Sequence, residues 1–242
     1  TGCSLGCIYC QNRKISYGNI GKEISLSRLA EIMLELQVKG AHNINLVTPS
    51  HYALELIPVL QKVKPLLKIP VVWNSNGYES VETLKKLDGL VDIYLPDLKF
   101  HSNELARRLC SAEDYFEKAI AAIEEMKRQQ PRDLFTEVGL MEKGVIIRHL
   151  ALPNHTMDTI ALIKEIKAHF SADTYLSLMC QYIPEGKAMD FEDISRRLKR
   201  KEYSRVVDFA QNEGFYNCFI QDFTSADESF IPEFSLTKEY EK

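Results

Sequence analysis

The chain has 242 residues, 45% of them apolar and 26% charged, with a formal net charge of −4. That balance is ordinary for a globular protein and provides no basic field for nucleic acid or an anionic membrane surface. No apolar run approaches the roughly 20 residues a membrane-spanning helix needs. No secretory leader is visible. The chain starts at Thr1 inside a cysteine motif, so it is expected to be the remainder of a longer, N-terminally truncated protein.

In chain order, the first feature is the cysteine run Gly2-Cys3-Ser4-Leu5-Gly6-Cys7-Ile8-Tyr9-Cys10-Gln11-Asn12. Spacings of four and three put three thiols on one short loop. Three thiolates fall one short of the usual four for a [4Fe–4S] unit, which leaves one iron open to a substrate or cofactor. Gly2 and Gly6 let the backbone bend closely and turn amides toward the sulfurs. A zinc site would need a fourth ligand from Cys110, Cys180, Cys218 or a histidine. Only three of the six cysteines are clustered, which argues against a disulfide-stapled secreted domain and for a reducing cytoplasm.

After the loop, short β-branched or apolar runs alternate with helical periodicity. Strands are expected at 43–48, 70–74, 91–96, 145–152, 174–181 and 216–221, and helices near 26–39, 52–64, 79–88, 112–129, 157–169 and 195–213. Ser25 or Ser27 fits a helix N-cap, and Gly40 and Gly214 fit helix ends. Residues 130–144 read as a loop or short hairpin. Residues 223–242 read as an irregular C-terminal extension of a single domain spanning 1–242. Alternating βα units predict a parallel sheet, here an open or partial barrel, with its active site at the carboxyl ends of the strands.

Cys3-x-x-x-Cys7-x-x-Cys10, with Tyr9 before the last cysteine, resembles the radical SAM signature. GCSLGCIYCQN is similar to the pyruvate formate-lyase-activating-enzyme-like branch. NINLVTPSHY, NSNGYE, DIYLPDLKF and VIIRHLALPNH are similar to its PflX subgroup. The resemblance implies a partial (β/α)6 barrel whose first strand would lie before Thr1 and is therefore missing. It also implies a [4Fe–4S] cluster on Cys3, Cys7 and Cys10 that reductively cleaves S-adenosylmethionine (SAM). The resulting 5′-deoxyadenosyl radical would abstract hydrogen from substrate. An external flavodoxin- or ferredoxin-like electron donor follows, and possibilities for the substrate include a glycyl radical enzyme, another peptide and a small molecule. A non-catalytic iron–sulfur or zinc protein is the remaining alternative.

Where the family usually carries Gly-Gly-Glu against the SAM amino group, this chain has Thr48-Pro49-Ser50-His51. The PflX subgroup shares this departure, and hydroxyls, backbone carbonyls or His51 are left as the contacts, with Ser50 and His51 the expected residues. Asn74 and Asn76 close the next strand and are candidates for SAM binding or for structural turns. Asp97 stands where the branch places a polar residue near SAM, and its alternative role is a helix N-cap. Arg148, set in an apolar strand, needs a partner. The SAM carboxylate is the first candidate and a structural carboxylate the second. Its neighbour His149 is expected on the opposite strand face. Cys110, Cys180 and Cys218 read as small apolar fillers.

Overall fold

A computed structural model describes residues 1–18 and 20–223. The expected extension over 223–242 lies, from residue 224 onward, outside the described residues.

Behind the cysteine loop come the short α1 (Arg13–Ser16) and the amphipathic α2 (Leu26–Val38), which buries Ala30 and Met33. Ser25 is the N-cap of α2, its Oγ accepting the Arg28 N–H at 3.1 Å. Next are β1 (Ile44–Val47), α3 (Ala53–Val63), β2 (Val71–Ser75), α4 (Val81–Lys85) and β3 (Ile93–Pro96). They are followed by α5 (Asn103–Cys110), α6 (Tyr115–Gln129), β4 (Leu134–Phe135), β5 (Met141–Leu150), α7 (Thr156–Phe170), β6 (Tyr175–Met179), α8 (Arg200–Asn212) and β7 (Cys218–Ile220).

These strands form one seven-stranded sheet in which β1-β2-β3-β5-β6-β7 run in that order, all parallel. β4 pairs antiparallel with the start of β5, so residues 130–144 do contain a short hairpin. Among the described residues β1 and β7 are the two ends of the strand order, and the barrel is open. The helix expected from 195 starts instead at Arg200. Before it, the Arg196 guanidinium bonds the Glu202 carboxylate at 2.8 Å, and the Lys199 N–H donates to the same carboxylate.

Helices cover the outer face of the sheet. β2 reads as a continuous apolar run because Val71, Val72 and Trp73 are all buried. β5 alternates: Val145, Ile147 and His149 are buried on the helix side, while Ile146, Arg148 and Leu150 are less covered on the other. His149 meets α7 through Thr159 Oγ1, 2.9 Å from Nε2, while its Nδ1 lies 2.7 Å from the Leu98 carbonyl. A carbonyl only accepts, so Nδ1 carries the proton and Nε2 accepts from the Thr159 hydroxyl. The opposite facing of Arg148 and His149 is thus as the strand period requires. Among the described residues, no helix is long and apolar enough to cross a membrane.

Candidate active site

The carboxyl ends of the parallel strands and the cysteine loop enclose a cavity of about 290 Å³. Cys3, Cys7 and Cys10 border it on one side and Asn74, Asn76, Asp97, Lys99 and Arg148 on the other.

The loop is held from several directions. Gly6 N–H donates to the Cys110 carbonyl at 3.0 Å and Ile8 N–H to the Leu109 carbonyl at 2.9 Å, which fastens the loop to the end of α5. Gln11 Nε2 donates to the Gln181 carbonyl beyond β6 at 2.9 Å. The buried Tyr9 ring packs edge-on against Tyr182 and Phe100. Gly2 takes φ +94°, a left-handed conformation that side chains oppose, and a Cβ there would press on the His51 ring.

Polar hydrogens surround the sulfurs. Leu5 N–H approaches Cys3 Sγ at 3.4 Å, Asn76 Nδ2 approaches the same sulfur at 3.6 Å, and the Ser16 hydroxyl lies 3.5 Å from Cys10 Sγ. Three thiols on one pinned loop, bordered by donors, are a donor set suited to an iron–sulfur cluster. Among the described residues no three His, Cys, Asp or Glu side chains converge as a single-ion site requires. Burial raises the Cys10 thiol above its usual range. The Cys110 contact, together with burial, raises the Cys7 thiol.

Cys110 is more than an apolar filler. It is fully buried, and its Sγ lies 2.9 Å from Cys7 Sγ and 3.5 Å from the Tyr9 hydroxyl. Sequence could not show this, because the contact spans 103 residues and depends on where α5 ends. Cys218, by contrast, lies on the edge strand β7.

Across the cavity, Asp97 holds two cations. Arg148 Nη2 donates to its Oδ1 at 2.6 Å and Lys99 Nζ to its Oδ2 at 2.6 Å. Burial alone would raise the Asp97 carboxyl, but Lys99 and Arg148 outweigh it and hold the group below the ordinary range. For Lys99, burial pulls downward and Asp97 prevails, keeping the ammonium charged. Arg148 thus has a structural carboxylate, Asp97, as a partner within the chain. The reason is register: β3 and β5 are parallel neighbours, and Asp97 bridges to Arg148 just beyond the last strand pair. Asp97 caps no helix, since the N-cap of α5 is Ser102. With one carboxylate against two cations the cluster keeps a net positive charge, and Arg148 Nε is buried without a hydrogen-bond partner.

Asn74 and Asn76 border the cavity. Asn76 Nδ2 also donates to Ser4 Oγ at 2.8 Å, and its Oδ1 accepts the Tyr78 N–H, so it is both a wall and a turn former. Ser50 and His51 do not border it. Ser50 Oγ donates to Glu79 Oε1 at 2.8 Å, and Glu79 also accepts the Trp73 indole N–H at 2.9 Å. His51 Nε2 lies 2.8 Å from the Thr1 carbonyl and its ring rests on Tyr52. Thr48, at φ +52°, takes their place, because the chain turns away from the cavity after it into the 3₁₀ turn Ser50–Tyr52. Lys99, Gln181 and Tyr182 complete the wall. Tyr115 ties the strand ends together: its hydroxyl accepts the Lys99 N–H at 3.0 Å and lies within 2.9 Å of the Asn76 and Asp97 carbonyls.

The fold is shared with methylornithine synthase, at a TM-score of 0.58 and 15% identity over 90% of this chain and 68% of that one. It is shared also with Streptococcus suis SuiB bound to S-adenosylmethionine, at a TM-score of 0.62 and 12% identity over 94% of this chain and 47% of SuiB. An uncharacterized protein of Methanocaldococcus jannaschii is 32% identical over 219 residues, which is 87% of this chain. The match spans about 60% of that relative's length. A profile of the radical SAM superfamily matches residues 1–166, and the chain belongs to that superfamily.

Proposed function

We propose that Cys3, Cys7 and Cys10 hold the [4Fe–4S] cluster that the superfamily uses, and that SAM occupies the 290 Å³ cavity beside them. What carries this reading is the convergence of the three loop thiols and the Asp97–Lys99–Arg148 charge cluster on that one cavity. When bound, the cluster and SAM supply one-electron cleavage of a sulfonium bond and hydrogen abstraction from a substrate. The chain's own residues orient and enclose. Arg148 Nε and the net positive charge beside Asp97 suit the SAM carboxylate, with Asp97 aiming the guanidinium. Asn74, Asn76 and Thr48 offer amide and hydroxyl groups to the amino and ribose groups of SAM. Leu150, Met179 and Tyr182 form an apolar side that limits water. Ser50 and His51 are left to hold the loop.

For the substrate we favour a protein chain. The loop GCSLGCIYCQN resembles the activating enzymes of glycyl radical proteins, and a flavodoxin- or ferredoxin-like donor would supply the electron. A peptide other than a glycyl radical protein is the second reading. It is favoured by the fold likeness to SuiB, which is seen bound to the precursor peptide SuiA, at a TM-score of 0.59.

The test is anaerobic reconstitution with iron and sulfide, followed by reduction in the presence of SAM. About four irons and four sulfides per chain, a brown chromophore, and release of methionine and 5′-deoxyadenosine are expected. Stoichiometric zinc without visible absorption would overturn the cluster assignment. Adding a candidate glycyl radical protein should then give a protein-radical signal in electron paramagnetic resonance. Its absence, with SAM cleavage intact, would favour another substrate.

A further inference from the structure

Cys110 belongs to none of the roles above, yet its sulfur lies 2.9 Å from that of a proposed cluster ligand. Helix α5 ends at Cys110, and Ser111 follows in the left-handed conformation at φ +59°. The two backbone bonds from Gly6 and Ile8 to the carbonyls of Cys110 and Leu109 flank Cys7 in sequence. Cys7 therefore cannot drift from the helix end without breaking both. Its sulfur rests 2.9 Å from Cys110 Sγ, and behind Cys110 the Tyr9 hydroxyl lies at 3.5 Å.

We infer that Cys110 is a positioning residue for the cluster, its buried thiol donating a hydrogen bond to the Cys7 sulfur and favouring the reduced state. This rests on the reading that Cys7 is a ligand. A metal-bound cysteine is a thiolate without a hydrogen, so any proton between the two sulfurs must be that of Cys110. The Tyr9 hydroxyl lies 3.5 Å from Cys110 Sγ, within reach to donate to it, and in that arrangement the Cys110 hydrogen is left for Cys7. A chain of this kind strengthens each of its links. A donor to a ligating sulfur draws electron density off the cluster and makes it easier to reduce. On the side away from the cavity the contact is enclosed, since Cys110 is fully buried and Tyr9 nearly so.

The experiment is a redox titration, monitored by electron paramagnetic resonance, of the reconstituted protein and its Cys110→Ala and Cys110→Ser variants, with iron measured in each. At the wild-type midpoint, Cys110→Ala is expected to show an about tenfold lower ratio of reduced to oxidised cluster, equivalent to about 59 mV for one electron. Cys110→Ser keeps a donor and should stay within about threefold of wild type. An unshifted Cys110→Ala with full iron overturns the inference, and so does an equal shift in both variants. Loss of iron from either variant overturns it as well, because a donor that is not a ligand leaves assembly intact. Failure of the wild type itself to take up iron would instead remove the cluster reading on which the inference rests.

Discussion

Asp97 and Arg148 meet just past the end of the β3–β5 pair, with 2.6 Å between Oδ1 and Nη2, and the Leu98 N–H bonds the Arg148 carbonyl at 2.8 Å beside them. Side chain and main chain thus close the same gap. Asp97→Asn leaves Lys99 and Arg148 facing each other largely buried. A loss of about 2–3 kcal/mol is expected, below the range for a fully buried pair because these side chains keep some exposure. The double variant Asp97→Asn, Arg148→Met should recover part of it. Urea denaturation of the three proteins decides the matter, and equal stability of wild type and Asp97→Asn would refute the coupling.

Arg148→Lys keeps a charge near Asp97 but loses the planar fork. SAM affinity should fall by about one power of ten, or about 1.4 kcal/mol, with iron content unchanged. Unaltered affinity in equilibrium binding would confine Arg148 to its ion pair.

Ser50 donates to the buried Glu79, away from the cavity. Ser50→Ala is therefore expected to lower stability by about 1 kcal/mol and to leave SAM affinity as it was. A large affinity loss with an unchanged melting temperature would return Ser50 to the cofactor site.

His149 is held neutral. Burial pushes its pKa below the usual value, against the upward pull of the Leu98 carbonyl. The unfolded chain takes up a proton near pH 6.5 that the folded one resists. The contribution of His149 is thus complete above that pH and declines as the pH falls below it. Stability measured from pH 7.5 to 5.5 should fall, and His149→Gln should flatten that slope while lowering the plateau.

Gly77 sits at φ +79°, and a Cβ there would collide with the Asp97 carbonyl. Gly77→Ala should cost at least about 2 kcal/mol and reduce SAM binding, since it drives the β2 and β3 loop ends apart. Thermal melting and a binding isotherm on the same sample test both halves.

Strand positions were legible because continuously apolar runs such as Val71-Val72-Trp73 permit little else, and the three loop cysteines were legible from spacing alone. Helix α5 was not. NELARRLC is only 8 residues long, and its apolar pairs Leu105-Ala106 and Leu109-Cys110 span too little chain to establish a period. Missing α5 hid what Cys110 touches. The partner of Arg148 was hidden for another reason: β3 and β5 are adjacent in the sheet but separated in sequence by two helices and a hairpin. Ser50 and His51 were placed by position in the motif, whereas the cavity wall is set by where the chain turns after Thr48.

The two amide bonds from Gly6 and Ile8 to the last turn of α5 make the curvature of the cysteine loop part of the protein's own fold. Ordering a residue costs roughly 1–2 kcal/mol in chain entropy. For the residues around Cys7, those two bonds and the buried end of α5 offset part of that cost within the fold itself.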